Sequence, residues 1–103
     1  MFYERWENIP GDQIRELTTN PAFQEAADKS GYLSRFRQQI YATKYGARYR
    51  SYLLAKETGM YTFYTFCDDT CQLFLSRDMN PGEKEMIINQ TKNVGDAPQN
   101  CCE

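Results

Sequence analysis

With 103 residues, 41% of them apolar and 25% charged, the chain has the composition of one globular domain with one modest core rather than of a disordered segment. A net charge of −2 argues against a nucleic-acid or anionic-membrane partner, and the absence of histidine removes the commonest general base and metal ligand. No apolar run reaches the roughly 18 residues that a membrane span requires, so direct insertion into a bilayer is not expected.

Residues 1–7 alternate loosely, Phe2 and Trp6 against Glu4 and Glu7, and are predicted as a first strand. This start lacks the basic residues and apolar core of a signal peptide. The expectation is therefore a cytosolic protein, or a mature or excised piece of a longer one. Pro10 and Gly11 end the strand, the first for want of an N–H and the second by allowing a positive φ. Asp12 is placed to cap a short helix over residues 13–17, with Ile14 and Leu17 on one face. Thr18-Thr19-Asn20-Pro21 breaks it. Residues 23–29 suggest a loop or one loose helical turn, residues 32–37 return to a strand-like pattern, and residues 38–45 suit either period.

Residues 45–76 carry the clearest β signal. Strands are predicted over 47–55, 60–66 and 72–76, and the middle one, Met60-Tyr61-Thr62-Phe63-Tyr64-Thr65-Phe66, has the highest β propensity in the chain. Lys56-Glu57-Thr58-Gly59 reads as a hairpin connection in which Gly59 takes the positive φ. Cys67-Asp68-Asp69-Thr70-Cys71 is a tight reversal, so the three strands are expected as a meander. Arg77 to Gly82 is dense in turn formers, residues 85–89 are a last strand, and residues 91–103 are expected to be an irregular tail. Short strands separated by turns at about ten-residue intervals define an all-β, antiparallel sandwich or barrel over residues 1–90, with one short helix after the first strand.

The four cysteines are Cys67, Cys71, Cys101 and Cys102. An even number in a small β-rich chain suggests disulfides and an extracellular home. Zinc fits poorly, because adjacent cysteines near a terminus make a poor half-site; the simplest reading of Cys101-Cys102 is a frayed tail. Cys67 and Cys71 stand at the two feet of a three-residue reversal, where Cα atoms can approach the ~5.5 Å of a disulfide. In a reducing compartment they would be free thiols. Asn89-Gln90-Thr91 is an N-glycosylation triplet.

Two blocks together resemble a known family. One is Trp6-Glu7-Asn8-Ile9-Pro10-Gly11-Asp12-Gln13-Ile14-Arg15-Glu16-Leu17-Thr18. The other runs from Tyr45-Gly46-Ala47-Arg48-Tyr49-Arg50-Ser51-Tyr52 through Thr58-Gly59-Met60-Tyr61-Thr62-Phe63 and Asp68-Asp69 to Leu73-Phe74-Leu75-Ser76. In order and spacing they resemble the PA14 domain, in the version found in fibrocystin-like proteins, over roughly residues 1–90. The resemblance implies a secreted or cell-surface β-sandwich that binds carbohydrate or a glycoprotein partner. It also implies that Asp68 and Asp69 hold Ca²⁺, which in turn holds sugar hydroxyls. Two departures stand out: Thr70 replaces the usual Gly, and the family's later strands and second ligand loop have no counterpart after about Asn89, as in a truncated or divergent domain.

Each feature also has a plainer account. Asp68 and Asp69 suit a hairpin turn on their own. Arg48, Tyr49 and Arg50, preceded by Lys44, form a basic-aromatic stretch of the kind that stacks single-stranded nucleic acid, yet it equally describes a solvated face paired with acidic side chains. No nucleophile–base pair, phosphate loop or metal-hydrolase spacing is present. Two adjacent aspartates do not straddle a glycosidic bond. The chain is accordingly expected to be non-enzymatic. The alternative to a ligand-binding module is a structural one that self-associates through its sheet or an unpaired edge strand.

Overall fold

In a computed structural model, which describes residues 1–38 and 42–92, the chain divides into two units, Met1–Leu54 and Ala55–Glu103. The first is organised around strand β1 (Phe2–Glu7), which pairs antiparallel with β2 (Lys29–Tyr32) on one side and β3 (Tyr45–Arg50) on the other. The sheet order is β2-β1-β3. Between β1 and β2 lie helix α1 (Ile14–Thr18) and a 3₁₀ turn at Pro21–Gln24.

Alternation along β1 puts Phe2, Glu4 and Trp6 on one face, where the register sets Gly46 opposite Trp6, Arg48 opposite Glu4 and Arg50 opposite Phe2. Trp6 is 1% exposed and forms the core with Ile9 and Leu17; Ala22, Phe23 and Ala27 pack around them. The indole Nε1 donates to the Glu25 carbonyl at 3.2 Å, so burying Trp6 strands no polar atom. Phe23 meets its ring edge-on, with centroids 4.8 Å apart. At five residues α1 is too short to persist on propensity alone, and it is held by tertiary packing. Leu17 lies directly on Gly46: a Cβ added there would stand 2.6 Å from Leu17 Cδ1, so the helix approaches the sheet where β3 has no side chain.

Further along the same face, Glu4 Oε1 accepts from Arg48 Nε at 3.0 Å and from Arg50 Nη2 at 3.0 Å. Arg48 also lies against the rings of Trp6 and Phe23 (5.5 and 5.2 Å), which closes the polar side of the core. The other face carries Tyr3, Arg5 and Glu7 with Tyr45 and Tyr49. Arg5 pairs with Glu7 at 2.8 Å and lies 5.7 Å from the Tyr45 ring centroid. The Tyr49 hydroxyl donates to Gln38 Oε1 at 2.7 Å, and burial, followed by the neighbouring Tyr45, pushes its phenol pKa up.

The second unit contains an antiparallel pair, β4 (Cys71–Leu75) and β5 (Glu85–Gln90). The register slips between Leu73↔Ile88 and Phe74↔Met86, so Ile87 is an extra residue on β5 and bulges it. Side chains shape the connection. Asp78 Oδ1 accepts from Asn80 N at 2.8 Å, and Asn80 Oδ1 from Gly82 N at 2.9 Å, the local bonding for which Asx residues are favoured in turns.

Among the described residues all strand pairings are antiparallel and helix is confined to short segments, in keeping with an all-β chain. Several boundaries differ from expectation. The predicted meander does not form: β3 ends at Arg50 and pairs with β1, and residues 60–66 form no strand. Among the described residues no strand pairs with this segment, so its propensity has nothing to act on, and Met60 is fully exposed and Tyr64 largely so. Positive φ among the described glycines occurs at Gly11 (82°) and not at Gly59, so residues 56–59 make no hairpin connection of the expected type. The strand predicted over 32–37 is replaced by β2, which stops at Tyr32. The N-cap of α1 is Gln13, without a side-chain cap bond; Asp12 instead accepts from the Gln13 amide at 3.2 Å. Part of the ambiguous stretch, residues 39–41, and most of the expected tail, residues 93–103 with Cys101 and Cys102, lie outside the described residues.

Candidate functional site: the Cys67–Cys71 loop and the end of β5

The reversal into β4 is closed covalently. Cys67 and Cys71 lie at disulfide distance, with Cα atoms 6.0 Å apart, inside the range that such a bond requires. The loop between them presents Asp68 and Asp69 to solvent, while Thr70 and both cysteines are half-buried; the Asp68–Asp69 peptide is cis.

A second clamp comes from a residue that sequence reasoning passed over. Gln90, at the end of β5, stands opposite Cys71 in the ladder. Its Nε2 donates to the Cys67 carbonyl at 2.7 Å and to the Lys92 carbonyl at 2.9 Å, with the Asp69 carbonyl at 3.4 Å. Its Oε1 accepts from Thr65 Oγ1 at 3.3 Å. One amide therefore ties the segment entering the loop, the loop itself and the segment leaving β5. Nothing in Asn-Gln-Thr signals this role, because it follows from the register that sets position 90 against position 71.

Asn89 projects beside this clamp as an exposed residue of β5. Its Oδ1 accepts from Gln72 Nε2 at 3.2 Å, across the strand pair. The fold thus brings the predicted aspartates, the cysteines and the glycosylation triplet to one end of one hairpin. The basic stretch is a different matter: Arg48 and Arg50 converge on Glu4, and Tyr49 takes the other face of its sheet. The arginines are thus paired with an acidic side chain, as in the plainer account, but on the face that carries the core rather than on a fully solvated one.

Two aspartate carboxylates are the hard oxygen donors that Ca²⁺ takes, and together they supply up to four of the roughly six to eight oxygens it needs. The nearby Cys67 and Asp69 carbonyls are turned to Gln90. Among the described residues no group of three or more His, Cys, Asp or Glu side chains is arranged to hold a metal, and no helix is long and apolar enough to cross a membrane.

These features define an antiparallel β protein with a disulfide-closed acidic loop. Compared with protein-family models, curated proteins and solved structures, the chain matches none.

Proposed function

We propose that this chain is a non-enzymatic, extracellular binding module of PA14-like β-sandwich type, and that the Cys67–Cys71 loop is its recognition element for carbohydrate or a glycoprotein. The observation that carries this reading is an exposed aspartate pair on a loop fixed twice, by a disulfide and by the Gln90 amide. Presenting polar groups on a preorganised loop lowers the ordering cost of binding. In the Ca²⁺-assisted form of the reading, Asp68 and Asp69 hold the ion and sugar hydroxyls complete its shell.

Titration calorimetry with millimolar Ca²⁺, followed by a glycan array with and without the ion, provides the test. Wild type should give binding heat and Ca²⁺-dependent glycan signals, and Asp69→Ala should lose both. Signals that persist in chelator remove the ion from the reading; no glycan or glycoprotein signal in either condition defeats the recognition reading itself.

A second reading, a module that self-associates without ligand, is favoured by the apolar exposure of the second unit, where Met60, Tyr64, Phe74, Met86 and Ile87 all face solvent. A two-stranded hairpin alone is only marginally stable in water and is improved by any partner that adds a strand. On this reading the chain elutes as a dimer or larger species at micromolar concentration in size-exclusion chromatography, and a monomer at every loading rules it out.

A further inference from the structure

The triplet Asn89-Gln90-Thr91 and the exposed apolar patch on β4 and β5 belong to one surface. Asn89 stands opposite Gln72, and the two side chains are hydrogen-bonded, so both lie on the same face of the hairpin. Two residues further along β4 on that face is Phe74, paired with Met86 across the ladder. Phe74 and Met86 are 40% and 48% exposed. The neighbours Gln72, Phe74, Met86 and Asn89 carry no charge, and the Lys84 ammonium lies over the Phe74 ring, 5.8 Å from its centroid. An exposed asparagine amide in an acceptor triplet therefore shares one face of the hairpin with a partly exposed aromatic ring on the neighbouring strand.

We propose that Asn89 is an N-glycan attachment site and that the first N-acetylglucosamine of the glycan is what covers Phe74 and Met86. The inference rests on the secretory part of the function proposed above, and it is independent of whether the acidic loop binds anything. In the transfer step the donor is a lipid-diphosphate-linked oligosaccharide. A bond forms between Asn89 Nδ2 and the anomeric carbon, the bond from that carbon to the diphosphate oxygen breaks, the lipid diphosphate leaves, and the amide gives up one proton. The acceptor geometry suits the product. Gln72 already occupies Asn89 Oδ1, so the oxygen keeps its partner while the nitrogen carries the sugar.

The partner is a neutral sugar, and a face of amides, a thioether and an aromatic ring, with the Lys84 ammonium beside the ring, is a surface that such a sugar covers by apolar contact and C–H to π packing. The same cover removes the patch that would otherwise draw a second copy. The bulge at Ile87 belongs to this arrangement, because it disturbs the β5 edge against strand addition while leaving the face open.

The test directs the full chain through the secretory route behind a heterologous signal peptide and measures intact mass before and after enzymatic removal of N-glycans. Occupancy at Asn89 in wild type, abolished by Thr91→Ala, is the expected result; a chain secreted without glycan overturns the proposal. Contact with Phe74 is tested by thermal melts of glycosylated and deglycosylated protein. Deglycosylation should lower the Tm of wild type by roughly 4–8 °C, the shift that a modest contact produces in a domain of this size. In Phe74→Ser the same treatment should change it by a small fraction of that. Equal shifts in the two proteins would show a glycan that does not use the ring, and would sink the packing proposal. Calorimetry and arrays on the loop are read separately, so failure of glycosylation and failure of recognition give different results.

Discussion

Trp6→Ala is expected to lose about 3–5 kcal/mol of unfolding free energy, the cost of emptying a large aromatic site in a packed core. Domains of this size have about 5–15 kcal/mol in all, so the variant should be largely unfolded under mild denaturant. The first unit depends heavily on this side chain. Trp6, Ile9 and Leu17 form its buried core, and removing the indole takes away the ring that Phe23 and Arg48 pack against and frees the Glu25 carbonyl. The check is urea unfolding followed by far-UV circular dichroism. A midpoint within error of wild type would mean that the β2-β1-β3 sheet is held elsewhere. Because Trp6 is the chain's one tryptophan, Gly46→Ala makes a companion that keeps the reporter. Its Cβ would press on Leu17. It should destabilise by about 1–3 kcal/mol, with a red shift of the tryptophan emission as the helix is pushed off the sheet.

That core also shows what a sequence makes legible. The loose alternation of Phe2 and Trp6 against Glu4 and Glu7 points to β1, although the strand sets Glu4 on the same face as Phe2 and Trp6 and only Glu7 on the other, and the apolar run Met86-Ile87-Ile88 points to β5, because each pattern is local. The cysteine pair could be read from spacing, since a three-residue reversal already brings its feet together. The meander could not. Residues 60–66 have strong β propensity, but propensity measures fit to a pleated surface with neighbours, and no strand among the described residues pairs with them. Which strand pairs with β1 was equally out of reach: Trp6 meets Gly46 across 40 residues of sequence, and the missing side chain at Gly46 matters only because Leu17 arrives there from a third segment. Gln90 is the same lesson at the candidate site. A glutamine inside Asn-Gln-Thr looks incidental until the β4–β5 register sets it beside Cys67 and Thr65.

The remaining large effect is expected at that loop. Replacing Cys67 and Cys71 together by serine should cost about 2 kcal/mol, the chain-entropy value for a closed loop of about five residues. Gln90→Ala should cost about 1 kcal/mol, because the half-buried carbonyl of Cys67 loses its donor, while the Lys92 carbonyl is exposed and can turn to water. The two clamps act on the same few residues. Without the disulfide, the Gln90 bonds must themselves order the loop, and part of what they contribute is spent on that entropy. The combined variant should therefore show a coupling of about 0.5–1 kcal/mol in a double-mutant cycle rather than simple addition. Amide hydrogen exchange over residues 65–72 and 85–92 gives the local readout: faster in each variant, with Gln90→Ala adding less once the cysteines are gone. If the two effects add without coupling, the disulfide and the glutamine stabilise different parts of the hairpin, and the acidic loop is not the doubly fixed element on which the recognition proposal depends.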